Sequence, residues 1–194
     1  MKYPQFVEVE GKRYKINTDF RNAIECNRIA EDETIGDIER VLGIIYTLFG
    51  EEGINTPEHY EKLLEMAKKY LSCGKEFVET NEKPDMDFIE DEGYIRSSFQ
   101  FDYKYDPYEE EYCHWYKFYN DLSNLSNSEF GNCCVLNRIR NLRNFDVSKI
   151  KDRKEKEKIM KQKEQFALKK NRKEKKITNE QQESMNALNE ILGL

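Results

Sequence analysis

The chain has 194 residues, of which 38% are hydrophobic and 36% are charged, and its net charge is −6 at neutral pH. Eleven Phe and twelve Tyr can fill a core, so we expect a compact helical body with a solvated extension rather than a disordered chain. No apolar stretch approaches the roughly 20 residues of a membrane span, and the N-terminus lacks the apolar segment of a signal peptide, so we expect an intracellular protein without a membrane anchor.

Residues 1–16 are predicted to form a β-hairpin. Apolar residues alternate along two short segments, with Val7 and Val9 in the first and Tyr14 in the second, and Glu10-Gly11 supplies a tight turn between them. An isolated hairpin is only marginally stable in water. We therefore expect it to pack on the helices that follow.

Three helices are predicted next. Asn17-Thr18-Asp19 offers polar caps for the first helix. A capping box of Thr34 and Asp37 begins the second, which Gly50 is placed to end. Thr56-Pro57 begins the third, with proline in its first turn. The second helix has a predicted inner face at helical spacing, formed by Ile35, Ile38, Val41, Leu42, Ile45, Leu48 and Phe49.

Three further helices complete a predicted helical body over residues 17–147. Asp87 is placed to cap one of them, and Pro107 prevents a continuous helix through the acidic, aromatic segment that follows. The next helix has large residues at steps of three and four, namely Trp115, Phe118, Tyr119 and Leu122. The last helix has apolar residues at steps of three, namely Phe130, Cys133, Leu136, Ile139 and Leu142.

The composition changes abruptly at Ser148. Residues 148–176 contain 14 basic and 5 acidic side chains, a net charge of +9, whereas residues 1–147 carry −12. Residues 148–194 are therefore predicted to be a basic helical or flexible tail. A short amphipathic helix near its end would need a partner surface for stability, and its apolar residues are Met185, Leu188, Ile191 and Leu192. The predicted fold is thus mainly α, with an N-terminal β-hairpin packed on a compact helical body and a basic C-terminal tail.

No motif in the sequence predicts catalysis or a cofactor. Nucleotide-binding loops, the serine-hydrolase elbow and the zinc-protease helix motif are all missing. His59 is interpreted as a surface or cap-proximal residue, and His114 as a hydrogen-bonded core residue. Cys113 and His114 are adjacent on one predicted helix, so their side chains point ~100° apart and do not form a catalytic pair. We therefore predict that the chain is not an enzyme.

Two clusters of potential ligands, one of Cys and His and one of acidic residues, suggest metal binding. Cys113-His114 with Cys133-Cys134 suggests zinc, but vicinal cysteines are poor tetrahedral ligands and no CxxC pair is present. The acidic run over residues 85–92 lacks the spacing of a calcium-binding EF-hand, and carboxylates before a helix are favoured by the helix dipole. We predict no metal, and free thiols at all five cysteines in a reducing compartment.

The basic tail has two interpretations, a nucleic-acid arm and a solvated helix. Clustered lysines can bind nucleic-acid phosphates. However, the body is acidic, and Phe166 is the tail's lone aromatic residue, so the tail offers little surface for stacking on bases. A solvated helix is therefore favoured over a nucleic-acid contact. The candidate partner-binding residues are Lys149, Lys151, Arg153, Lys154, Met185, Leu188, Ile191 and Leu192.

The stretch from Asp87 to Leu168 resembles the bacteriophage gene product 15 family, found in long-tailed phages and prophages of Gram-positive bacteria. The family pattern has an acidic segment, a block His-Trp-Trp-x-Phe-x-x-Leu, a helix ending in Ile-Arg and a lysine-rich run. Asp19-Phe20-Arg21 extends the resemblance toward the N-terminus, so that it covers most of residues 6–170. The central block is represented here by His114, Trp115, Tyr116, Phe118 and Leu122, with Tyr116 where the family more often has a second Trp and Leu122 one position later than in the pattern.

The resemblance implies a tail-assembly chaperone or scaffold in the host-cell cytoplasm. Its implied partners are the tape-measure protein, the major tail protein and another tail chaperone, and an oligomer is compatible with this role. The resemblance implies no catalytic residue. Two alternatives stay open: a nucleic-acid-associated phage protein that uses the basic tail, and a minor structural component of the tail.

Overall fold

The computed structural model describes residues 3–75, 83–127 and 133–171. The chain divides into two compact units, Met1–Phe145 and Asp146–Leu194, termed the first and the second unit. The described residues are mainly helical, with an N-terminal antiparallel hairpin that packs on helices. The predicted fold class is therefore confirmed, whereas the domain boundaries predicted after residues 16 and 147 stay predictions.

The hairpin consists of β1 (Phe6–Val9) and β2 (Lys12–Lys15), with Val7 opposite Tyr14. Both turn residues, Glu10 and Gly11, have positive φ angles of 51° and 80°, as the tight turns that suit the twist of a hairpin require. Tyr14 is buried, and its hydroxyl is hydrogen-bonded to Nδ1 of His59 at 2.7 Å. This contact fastens the hairpin to the helical part of the first unit.

The next three helices are α1 (Phe20–Glu31), α2 (Asp37–Ile54) and α3 (Tyr60–Leu71), and α2 packs against both of the others. Asp19 caps α1 through the backbone N–H of Arg21, as its residue type favours. His59 directly precedes α3 and is buried. The prediction of a cap-proximal histidine therefore fits its position, but the prediction of a surface side chain is wrong.

Two predictions for α2 are wrong in detail. Its cap is Gly36, whose N–H donates to the Glu39 carboxylate, because the hydroxyl of Thr34 donates to Asp32 instead. Gly50, which was placed to end the helix, has a non-helical backbone with a φ of 64° that kinks α2, and a further turn follows it. Ile38 was expected on the inner face, but the core packing of α2 begins at Val41 and leaves Ile38 exposed.

The first unit ends with α4 (Glu92–Tyr103), α5 (Trp115–Ser123) and α6 (Val135–Asn144). Asp87 accepts N–H groups from Ile89 and Glu90 in a turn, so it does not cap α4, which begins five residues later. Cys133 precedes α6 rather than lying in it. Phe130, the first residue of the predicted stripe, lies outside the described residues.

The second unit contains one α-helix among its described residues, α7 (Arg153–Gln165), flanked by single 3-10 turns. Asp152 caps α7 by accepting the N–H of Glu155 at 2.8 Å, and no side chain of α7 is buried. The predicted amphipathic helix at the end of the tail lies outside the described residues. No helix in the described parts of the chain combines the length and apolarity that a membrane crossing requires.

Candidate functional site

His114 begins the aromatic block and caps helix α5. Its Nδ1 accepts the backbone N–H of Tyr116 at 3.0 Å, and its Nε2 lies 3.1 Å from the carbonyl oxygen of Pro4. These contacts require a neutral ring that carries its proton on Nε2. Burial lowers the pKa of His114 and so favours this neutral form. Both ring nitrogens are thus occupied by backbone groups, which leaves neither to bind a metal.

The next residues of the block form the centre of the core. Trp115 and Phe118 are both fully buried, and Leu122 is nearly so. The ring of Phe118 stacks on Phe20 of α1 and on Phe99 of α4, with centroid distances of 4.3 and 5.3 Å. One turn of α5 therefore holds two other helices by aromatic packing.

Trp115 adds a polar anchor to this packing, because its Nε1–H donates to the carbonyl oxygen of Leu71 at 3.1 Å. That carbonyl belongs to the last turn of α3, where the helix itself supplies no donor. Tyr116 is half-buried and stacks on Tyr70 at 5.2 Å. Tyrosine preserves the flat stacking surface that a second tryptophan would provide.

The two segments that carry the family resemblance meet in space. Asp19 and His114 form an isolated antiparallel bridge, in which the N–H of Phe20 donates to the carbonyl of Cys113 at 2.9 Å. The N–H of Cys113 in turn donates to the carboxylate of Asp19, 94 residues away in the sequence. The start of α1 and the start of α5 are therefore held together by backbone hydrogen bonds.

Arg21 has a structural role that the sequence interpretation missed. Its guanidinium donates to the backbone carbonyls of Tyr108 and Glu110, at 3.0 and 2.7 Å, and to the Asp19 carboxylate. One side chain thus fixes the acidic, aromatic loop that Pro107 keeps out of a helix. In the sequence, the available signal for this role was an arginine close to a capping aspartate. Nothing in the sequence identifies backbone carbonyl groups as the partners of that arginine.

A buried ion pair was also missed. The carboxylate of Asp91 accepts two hydrogen bonds from the guanidinium of Arg143, at 2.7 and 2.8 Å. The side chains are only 1% and 10% exposed, respectively. The sequence analysis placed Asp91 in the acidic run before a helix but identified no partner for its carboxylate. A buried carboxylate requires a partner. The pair that results joins the start of α4 to the end of α6.

The cysteines show no arrangement for zinc among the described residues. Burial raises the pKa of Cys113 to about 11, that of Cys73 to about 11 and that of Cys26 to about 12. These raised pKa values disfavour the thiolate form that binds zinc. Within the described ranges, no three His, Cys, Asp or Glu side chains are grouped so as to hold a metal ion.

The candidate basic residues lie in the second unit and are exposed. Lys149 is in the turn before α7, Lys151 follows it, and Arg153 and Lys154 form the first turn of α7. The side chain of Arg153 is 91% exposed beside Glu157. The structure therefore places these four cations close together along the chain. The remaining candidates, Met185, Leu188, Ile191 and Leu192, lie outside the described residues.

Comparison with known proteins identifies one relationship. Residues 2–168 match a family model described as Bacteriophage Gp15 protein. Neither the curated proteins nor the solved structures gave a match. The matched range includes the Asp19–His114 bridge, the aromatic block and α7, but not the apolar residues from Met185 onward.

Proposed function

This chain belongs to the Bacteriophage Gp15 protein family, and on that premise we propose that it is a non-catalytic tail-assembly chaperone or scaffold. Its clients are the tape-measure protein, the major tail protein, or both, and it acts in the host cytoplasm. Another tail chaperone and further copies of this chain are compatible partners. The family match is the observation that carries the proposal.

The contrast between the two units supports this role. A tape-measure protein presents long apolar helical surface before the tail tube encloses it, so a chaperone needs a stable body and a grip that can be released. The first unit has a continuous buried core, and the second has exposed cations beside it in sequence. Contacts through exposed charges are reversible, because salt screens them beyond about 8 Å at physiological ionic strength.

Nucleic-acid binding is the second candidate, and the same exposed cations favour it. Against it, the described part of the second unit contains one aromatic residue, Phe166, whereas single-strand binding typically uses several stacked aromatic side chains. Salt would weaken both kinds of complex, so salt dependence alone does not separate them.

Deletion of the gene separates the candidates. For a chaperone we expect lysates with filled heads but no tails, and purified wild-type virions that lack this protein by mass spectrometry. Stoichiometric copies in mature virions would instead identify a minor structural component of the tail. Normal tails combined with a defect in genome replication would overturn the proposal and favour the nucleic-acid role.

Co-purification tests the basic residues directly. Tagged protein should capture the tape-measure or major tail protein of the same phage, and Lys151→Glu/Lys154→Glu should capture less of it. Lys68→Glu/Lys69→Glu is the matched control, because it makes the same charge change at two exposed lysines of α3. An equal loss with both double variants would mean that net charge, rather than the second unit, governs capture.

A further inference from the structure

Helix α2 carries an apolar stripe on its exposed side. Ile38 is 76% exposed and Tyr46 is 56% exposed, and half-buried Leu42 lies between them. Residues four positions apart share one face of a helix and are ~6 Å apart along its axis. The core is served by other residues of the same helix, among them Ile45 and Leu48. The stripe is therefore an additional apolar surface.

Some other exposed apolar side chains of the first unit have contacts within the chain. The guanidinium of Arg13 lies over the ring of Phe6 at 3.8 Å, and the Tyr112 hydroxyl is hydrogen-bonded to Thr18. Single exposed apolar residues are normal on protein surfaces, whereas a contiguous set of them marks an interaction site. The three-residue stripe on α2 belongs to the second category.

The chain around the start of the stripe is acidic. Residues 31–39 contain five acidic and no basic side chains. Asp37, next to Ile38, is 97% exposed, although it is paired with Arg40. Arg40 also donates to the backbone carbonyl of Asp32, which holds it against the helix start. The complementary partner of this surface is apolar along one line and positively charged beside it.

We propose that the stripe binds an amphipathic client helix that carries Lys or Arg beside its apolar face. The inference rests on the proposed chaperone function and assigns to the first unit a client site separate from the basic residues of the second. A helix is the matching shape, because anchors at positions i, i+4 and i+7 can follow a straight row of side chains on α2. Client binding then combines apolar contact with a salt-sensitive charge contribution.

Binding of two helical peptides to the full-length chain tests whether the stripe prefers a basic partner. One fluorescent 18-residue helical peptide carries leucines on one face and lysines beside it, and its twin carries glutamates in place of the lysines. We expect the lysine peptide to bind at least about tenfold more tightly, since opposite charges attract across an interface and like charges repel. Equal affinity for the two peptides would overturn the charge argument.

Variants of the stripe test its location. Ile38→Asp and Tyr46→Asp should each weaken lysine-peptide binding about tenfold or more, because buried anchors dominate interface affinity. Ile89→Asp is the matched control, since Ile89 is a similarly exposed residue of the turn before α4, and it should bind as the wild type does. Asp37→Lys should shift preference toward the glutamate peptide. Circular dichroism checks that each variant is folded, and unchanged binding by both folded stripe variants would refute the site.

Capture of the phage tape-measure protein separates this inference from the proposed function. If wild-type and Ile38→Asp proteins capture it equally, the stripe is not the client site, although the chaperone proposal stands. If the wild type captures neither the tape-measure nor the major tail protein, the chaperone proposal fails, and the peptide measurements still decide whether the stripe binds a basic helix.

Discussion

Helices α5 and α7 show how differently the two units are stabilised. Helix α5 buries Trp115, Phe118 and Leu122, and its first residues are bonded to the start of α1. Helix α7 buries none of its side chains and depends on the Asp152 cap and on short-range ion pairs such as Arg153–Glu157. Exposed ion pairs contribute little to stability because water solvates both charges. Burial therefore commits the first unit to one packing arrangement, whereas α7 keeps its surface available for binding.

The largest expected effect is at the centre of the first unit. Trp115→Ala should lower the free energy of unfolding by about 3–5 kcal/mol, because it removes a fully buried ring and leaves a cavity. Urea unfolding followed by far-ultraviolet circular dichroism measures this change. Tyr46→Ala, at an exposed position, should leave the midpoint nearly unchanged. A Trp115→Ala protein that unfolds at the wild-type midpoint would contradict the packing role of α5.

The same substitution, Arg to Met, is expected to have unequal effects in the two units. Arg143→Met should cost about 3 kcal/mol, because it leaves the buried Asp91 carboxylate without its cationic partner. Arg153→Met on α7 removes an exposed pair instead and should change stability by less than about 0.5 kcal/mol. Urea titrations of the two variants give both values. Adding Asp91→Asn to Arg143→Met should recover part of the loss, and similar costs for the two single variants would erase the distinction.

Acid should weaken the start of α5 through His114. Because burial lowers its pKa in the folded chain, the neutral ring stabilises the fold above the unfolded pKa of about 6.5. That contribution is lost as the pH falls through the lower folded pKa. His114→Asn keeps a cap acceptor but does not titrate, so the variant should lose less stability than the wild type between pH 7 and pH 5. Equal losses would show that His114 is not the sensitive group.

The smallest expected effect concerns the second unit. Truncation after Ile150 removes α7, none of whose side chains is buried, so the unfolding free energy of the first unit should change by less than about 0.5 kcal/mol. Capture of the tape-measure or major tail protein should nevertheless weaken, because the basic residues from Lys151 onward are removed. The truncation also removes Leu168, which is buried and lies beyond α7. A loss above about 1 kcal/mol would show that the first unit depends on the second for its stability.

Errors in the sequence interpretation arose where short-range alternatives compete. Thr34 and Asp37 have the spacing of a capping box, but Asp32 takes the Thr34 hydroxyl, and the cap moves to Gly36. Asp87 closes a turn of its own before α4 begins. Ile38 has the correct helical phase for the inner face, but the core does not extend to the first turn of α2. Each residue pattern was consistent with the predicted structure. A competing local hydrogen bond, or the extent of the core, determined the observed structure instead.

Local sequence patterns were enough to predict the hairpin turn at Glu10-Gly11, the Asp19 cap and the helical phase of the Trp115 block. Caps, turns and helical stripes depend on residues only a few positions apart, so their physics is contained in short segments. Only the tertiary structure decided that Asp19 meets His114, that Arg21 holds the loop around Tyr108, and that Asp91 is buried against Arg143. Those partners lie from 52 residues apart, for Asp91 and Arg143, to 95 residues apart, for Asp19 and His114. Helix packing brings them together, and no local pattern encodes it.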